Sequence, residues 1–157
     1  MKDFSIYESS NGGELLLIND DVNLAETLLQ VVDIALFGGN VEAETLGNEK
    51  PNQIRNDWWA NDLLFSDFKE RQMNSLTERT LREVPLSSSG RIQIQNSVQE
   101  DLRFLQSVVD VKVEVKIINN HRVDIYVKLN RYKNREDVNL QFLWDNIQNS
   151  VILKKQI

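Results

Sequence analysis

The sequence predicts an α+β fold, in which an antiparallel sheet of about three strands and an N-terminal β-hairpin pack against two to three helices. Two observations support this prediction. Residues 111–130 alternate apolar and polar side chains in two runs, which is typical of antiparallel strands with one buried face. Residues 94–109 repeat apolar side chains at intervals of three and four, which is the period of a helix with one buried face.

Length and composition indicate one globular domain. The chain has 157 residues and no cysteine, which excludes disulfides and thiolate metal sites. Its 18 basic and 24 acidic side chains give a net charge of −6, so nucleic acid and anionic membranes are not expected as partners. The first residues lack the pattern of a secretory signal, and we therefore expect synthesis and folding in the cytoplasm.

The N-terminal part predicts a hairpin followed by a helix. An Asn-Gly-Gly turn at residues 11–13 separates two short apolar runs within residues 4–19. A helix is expected over residues 23–37, capped by the acidic pair at 20–21 and ended by Gly38 and Gly39. Its apolar band is wider than one buried stripe requires, which predicts that it is covered on two sides.

Two further helices are expected after a long loop at residues 38–57. The first spans residues 66–84, with Phe68, Leu76, Leu81 and Val84 inward, and ends at a proline. The second runs from about residue 91 to 108 after a serine cap. Its inward residues are Ile94, Val98, Leu102, Leu105 and Val109.

The sheet is predicted from residues 111–118, 123–130 and 138–144. The first two strands keep their apolar sides together only if an odd number of residues separates them, which favours a three-residue turn at 119–121. That register places Ile117 opposite Val123 and Lys116 opposite Asp124. The third segment also fits a helix turn, although its alternation favours a strand. Residues 147–157 are expected to be a C-terminal tail, either for interaction or frayed, outside a domain of residues 1–146.

No catalytic, cofactor or metal site is predicted. The only histidine, His121, lies in a predicted turn and has no second histidine or cysteine to complete a site. The acidic pairs at 20–21, 42 and 44, and 100–101 have plainer roles as helix cap, loop and exposed helix face. Common phosphate, dinucleotide and acyl-transfer motifs do not occur in the sequence.

Trp58 and Trp59 are the candidate partner-binding residues, together with Phe37, Gly38 and Gly39. Adjacent side chains diverge, so two neighbouring indole rings do not easily share one face. Either both rings fold into the domain's own core, or one anchors the loop while the other enters a partner. The polar neighbours on both sides of the pair favour the second alternative.

Several short motifs occur in a recognisable order. An apolar helix ends in the sequence of residues 34–40, and a polar loop leads to Trp-Trp-Ala-Asn at 58–61 and Val-Pro-Leu-Ser at 84–87. An Asp-Leu pair at 101–102 then precedes alternating strands, the last of which ends Phe-Leu-Trp-Asp at 142–145. From about residue 4 to 146, this order resembles the phage Mu-like baseplate wedge family. The chain departs from that family at Ala60, where glycine is more typical, and in the residues beyond Asp145.

The resemblance implies a structural protein in the tail baseplate of a contractile phage, or of a related tailocin or injection system, made in the bacterial host cytoplasm. Family members look like the small wedge proteins of T-even phages, some of which carry an old lysozyme-like label. The expected partners are other baseplate wedge proteins, hub or spike subunits, and sheath or tube subunits in a sixfold assembly. No enzymatic activity, cofactor or small-molecule substrate is expected. The alternatives are a lysozyme-like peptidoglycan hydrolase and an adaptor outside the virion.

Overall fold

The computed structural model describes the chain except for residues 1, 5, 10–11, 16, 20, 23, 41–56, 59, 69–70 and 132–135. The helices are α1 (Thr27–Phe37), α2 (Asn61–Phe65), α3 (Leu76–Glu83) and α4 (Ser88–Asp101), followed by a 3₁₀ helix, Arg103–Ser107. The short strands are β1 (Lys2–Phe4), β2 (Ile6–Ser9), β3 (Gly12–Leu15), β4 (Leu17–Ile18), β5 (Asp21–Val22), β6 (Leu24–Glu26), β7 (Gly39–Asn40) and β8 (Asp57–Trp58). The long strands are β9 (Val109–Asn119), β10 (Arg122–Arg131), β11 (Val138–Asp145) and β12 (Ser150–Gln156). The predicted α+β class is confirmed.

The long strands form an antiparallel sheet in the order β12-β11-β10-β9. The predicted register is confirmed, since Ile117 lies opposite Val123 and Lys116 lies opposite Asp124. The turn differs from the prediction. Asn119 pairs with Arg122, and a register irregularity follows. The additional residue that the apolar pattern requires is therefore accommodated in a bulge rather than in a three-residue loop.

The C-terminal segment is a strand of this sheet, so the predicted tail at residues 147–157 and the domain limit at 146 are wrong. β12 pairs with β11, for example Leu143 with Leu153. Lys154 on β12 reaches across to α1 and donates a 2.7 Å hydrogen bond to the Asp33 carboxylate. This strand is hard to recognise in the sequence, because residues 151–156 do not alternate between apolar and polar side chains.

One face of the sheet is covered by α1, α3 and α4. Every inward residue predicted for the last helix is buried, and so are the inward residues of β10 and β11. The predicted helix end near residue 108 is wrong, since α4 ends at Asp101, Leu105 lies in the 3₁₀ helix and Val109 begins β9. Ser87 caps α4 as predicted, since its hydroxyl accepts a 3.2 Å hydrogen bond from the Gly90 amide. The opposite face of the sheet carries mostly polar and charged side chains, including Lys112, Glu114 and Lys128.

Two predicted helices begin at later residues than the sequence indicated. The first starts at Thr27 because residues 24–26 pair with β1, so Asp21, which lies in β5, does not cap it. The second was predicted over 66–84, but α3 starts only at Leu76. Ser75 takes a left-handed conformation with φ of 43°, which interrupts any helix from residue 66 onward.

The predicted N-terminal hairpin is confirmed by the pairing of β2 with β3. Gly12 and Gly13, which were predicted in the turn, lie instead in β3 opposite Ser9 and Glu8. Residues 10 and 11 lie outside the described residues. The same N-terminal part of the chain forms two more antiparallel ladders, β1 with β6 and β4 with β5. Together they bring the N-terminal strands to the start of α1.

Candidate functional site

A two-residue ladder joins the end of α1 to the tryptophan motif. α1 ends at Phe37, and the Gly38 amide donates a 2.8 Å hydrogen bond to the Ile34 carbonyl. Gly39 then pairs with Trp58 in the β7–β8 ladder. The structure therefore brings Phe37, Gly38, Gly39 and Trp58 together, as the candidate site required. The loop between the two strands, residues 41–56, lies outside the described residues.

Asn61 fastens the tryptophan motif to the chain ahead of α3. Its side-chain amide donates a 2.8 Å hydrogen bond to the Met73 carbonyl, and its side-chain oxygen accepts a 2.9 Å bond from the Met73 amide. The Trp58 amide also donates to the Met73 carbonyl, at 3.0 Å. Because Asn61 is fully buried, removal of its side chain would leave the Met73 amide without this partner and the Met73 carbonyl with the Trp58 amide alone.

Trp58 is the anchoring ring of the tryptophan pair. It is 8% exposed and packs with Ile34 and Ala60 in a small apolar cluster. The Phe65 ring of α2 lies 6.4 Å from it, centroid to centroid. The expectation that Trp58 itself contacts a partner is corrected, because its ring has almost no area left to offer. Trp59 lies outside the described residues, so its role stays a prediction.

Phe37 also serves the subunit's own core. Its ring stacks on Trp144 at 6.1 Å and lies 5.5 Å from the Phe142 ring. Phe37 is half-buried, and these two core rings are its described ring contacts. Gly38 is buried as well, and a Cβ at this position would lie only 2.6 Å from the Ile34 carbonyl oxygen. Any larger residue at this position would clash with the last turn of α1, which explains the glycine.

The outward side of α2 exposes an apolar surface that sequence reasoning missed. Leu63 is 75% exposed, Leu64 56% and Phe68 47%, and we call these three side chains the α2 patch. The Arg71 guanidinium lies over the Phe68 ring at 4.8 Å. Phe68 was predicted to face inward from a long helix, which the structure contradicts. The available signal for exposed apolar side chains was the adjacent pair Leu63 and Leu64. Two neighbouring residues of a short helix point in different directions, so they cannot both face Trp58.

Asp101 was assigned to an exposed helix face, but it organises the start of α3. Its two carboxylate oxygens accept hydrogen bonds from the amides of Leu76, at 3.0 Å, and Thr77, at 2.7 Å. It therefore supplies the helix cap that the left-handed Ser75 does not provide. Burial raises the pKa of Asp101 to about 7, while the hydrogen bonds from Thr77 and Leu76 and the charge of Arg79 oppose this rise.

A carboxyl group with such a pKa suits acid–base chemistry only where a substrate can reach it. Both oxygens of Asp101 are instead engaged by backbone amides, which indicates a structural role. His121 is exposed in the turn between β9 and β10, as predicted. Among the described residues, no three His, Asp or Glu side chains are grouped so as to hold a metal ion. None of the described helices has the length and apolar character needed to span a membrane.

The described geometry defines a small α+β domain with an anchored loop and an exposed apolar corner. No protein-family model, curated protein or solved structure matches the chain.

Proposed function

We propose that this protein is a structural component of the baseplate wedge of a contractile phage tail or phage-tail-like injection system. In this role it links larger wedge subunits to the hub and tube and to the sheath. The proposal rests on the resemblance of the sequence motifs to the phage Mu-like baseplate wedge family. The structural observation that supports it best is the α2 patch, a group of large apolar side chains exposed beside a rigid internal anchor.

The anchor makes this corner suitable for assembly. The inward side of α2 is held by Trp58, Asn61 and the Met73 backbone. The outward leucines are therefore already in place before a partner binds, and little conformational entropy is lost on binding. Clustered apolar side chains on a surface are typical of protein–protein contacts. A few well-packed residues contribute most of the binding energy in such contacts, and arginine, present here as Arg71 over the Phe68 ring, is among the types most often found in this role.

Tail particles provide the test. We expect mass spectrometry to detect the protein in purified contractile particles, and deletion of its gene to abolish particles that carry sheath. Leu64→Ser should leave the subunit folded but reduce its incorporation into particles severalfold. Ile92→Ser is the matched control, since Ile92 is also a large apolar side chain on a helix and is 52% exposed. It should leave incorporation unchanged.

Two outcomes would contradict the proposal. One is the absence of the protein from intact particles that assemble normally without its gene, as an adaptor outside the virion would show. The other is turnover of purified peptidoglycan by the pure protein that is lost on substitution of a single Asp or Glu, as expected of a hydrolase.

A further inference from the structure

The edge strand β9 has a charge pattern that is complementary to itself. It is the outermost strand on one side of the sheet, and no described strand pairs with its free edge. Its outward side chains alternate in sign, with Asp110, Lys112, Glu114 and Lys116 all exposed. An open edge is a template for pairing with another chain, and proteins often protect it with charged side chains, especially lysine. The alternating signs on β9 instead permit pairing with an identical strand.

We propose that two copies of this chain associate by antiparallel pairing of their β9 strands about a twofold axis at Val113. In that register Asp110 of each copy lies opposite Lys116 of the other, and Lys112 lies opposite Glu114. All four charged side chains of each strand then face a charge of opposite sign. The two sheets become one continuous sheet, and the inference does not depend on the proposed baseplate function.

Neighbouring registers are disfavoured by charge. Moving the twofold axis by one residue to Lys112 would place this lysine opposite its own copy and Asp110 opposite Glu114. Moving it to Glu114 would place two glutamates opposite each other and Lys112 opposite Lys116. Like charges directly opposite each other destabilise strand pairing. The pattern therefore selects the register centred on Val113.

The ends of β9 support the same register. Val108, just before the strand, is 58% exposed, and Ile118, near its end, is 53% exposed. Pairing centred on Val113 places Val108 of one copy opposite Ile118 of the other, at both ends of the interface. Two pairs of exposed apolar side chains would thus be removed from water by the same contact that matches the charges.

The contacts that the β9 charges make within the subunit lie at its surface. Asp110 accepts a 2.8 Å hydrogen bond from the Asn130 side-chain amide, and the Lys116 ammonium lies over the Tyr126 ring at 4.9 Å. Lys112 lies directly opposite Lys128 of β10, so its neighbour inside the sheet has the same charge. Its ion pair with Asp110 is long, at 3.8 Å, and both side chains are exposed. The Lys116–Glu114 pair, at 3.2 Å, is exposed as well. Exposed pairs of this kind contribute little, so exchanging them for pairs across the interface costs little.

The other edge of the sheet lacks this property. β12 carries Lys154 and Lys155 next to each other and no acidic residue. Pairing of two β12 strands would therefore offer no pair of opposite charges from the two strands across the interface. We therefore assign the self-association to β9 alone.

Charge reversal on β9 tests the proposal in purified protein. Sedimentation velocity of the wild type should show a concentration-dependent dimer. Lys112→Glu alone or Glu114→Lys alone should weaken the dimer about tenfold or more, because each creates like-charged pairs twice per interface. The double variant Lys112→Glu/Glu114→Lys should recover wild-type association. Lys155→Glu makes the same charge change on the opposite edge and should have no effect.

Mixing the two single variants gives the sharpest result. Every pair between a Lys112→Glu chain and a Glu114→Lys chain is of opposite sign, so native mass spectrometry should show heterodimers in large excess over both homodimers. A wild type that stays monomeric at all concentrations would overturn the proposal. So would a dimer that neither single variant weakens, or a mixture without preference for the heterodimer.

Discussion

The sheet with its covering helices and the corner around Trp58 are held together in different ways. In the first region, the apolar sides of β10, β11 and α4 meet, and the hydroxyls of Thr80 and Ser97, both buried, bond to each other at 2.7 Å. In the second region, backbone groups of Met73 are bonded by Asn61 and Trp58, while Leu63 and Leu64 of the short α2 face solvent. The first region buries its apolar surface within the subunit, and the second leaves part of it exposed.

This difference indicates that the sheet and its helices provide the stability of the subunit, whereas the outward side of the Trp58 corner is available for assembly. Substitutions in the sheet and its helices should lower the free energy of unfolding. Substitutions on the outward side of the corner should affect binding and leave the isolated subunit intact.

The largest effect is expected at the centre of the sheet. Phe142 is fully buried and its ring contacts Phe37, so Phe142→Ala should lower the free energy of unfolding by about 4 kcal/mol. Leu143 is the control, since it is the next residue of the strand, points to the other face and is only half-buried. Leu143→Ala should cost about 1 kcal/mol in denaturant unfolding. Equal losses would show that the two faces of the sheet are not distinguished as described.

The cap of α3 should show a pH dependence that can be isolated with Asp101→Asn. Burial raises the pKa of Asp101 from 3.8 to about 7, so the folded state binds this proton more tightly than the unfolded chain does. The stability that the carboxyl group contributes is therefore fully present below pH 3.8 and is lost as the pH rises through about 7. The stability difference between wild type and Asp101→Asn should fall by about 2 kcal/mol between pH 5 and 8.

Equilibrium unfolding of both proteins at a series of pH values measures this difference, and groups shared by the two proteins cancel. A difference that is constant or grows with pH would show that Asp101 is charged in the folded state throughout this range.

A smaller effect is expected where β12 meets α1. Burial raises the pKa of Asp33, and the charge and hydrogen bond of Lys154 oppose this rise. The lysine therefore offsets part of the cost of burying the Asp33 carboxylate. Lys154→Ala should lower the free energy of unfolding by about 1–2 kcal/mol, because it leaves Asp33 without its partner. Lys155 is the adjacent control and is exposed, so Lys155→Ala should change stability by less than about 0.5 kcal/mol. Similar losses for both variants would contradict a specific role of the Asp33 pair.

Sequence patterns predicted the regions where burial follows a simple period. The burial of Ile94 and Val98 on α4, the register of β9 with β10 and the strand at 138–144 were predicted correctly, because one buried face imposes a period of two or of three to four. The pattern failed where long-range bonds decide the structure. The start of α3 depends on Asp101, which is distant in the sequence, and β12 is identified by its pairing with β11 rather than by alternation.

The candidate site was predicted only in part. Phe37, Gly38, Gly39 and Trp58 were named together as contact residues, but the pairing of Gly39 with Trp58 and the burial of Trp58 were not predicted, since adjacent tryptophans do not reveal which ring faces inward. The α2 patch was missed because residues 61–65 were not recognised as a helix of their own. A helix of five residues is too short to show a period.

The inward and outward sides of the Trp58 corner can be distinguished most directly by comparing two substitutions in the isolated subunit. Trp58→Ala removes a ring that is 8% exposed and should lower the free energy of unfolding by about 3 kcal/mol. Leu64→Ser changes a side chain that is 56% exposed and should alter it by less than about 0.5 kcal/mol. A stable Trp58→Ala subunit, or a Leu64→Ser subunit as destabilised as Trp58→Ala, would contradict the division between internal anchor and exposed contact surface.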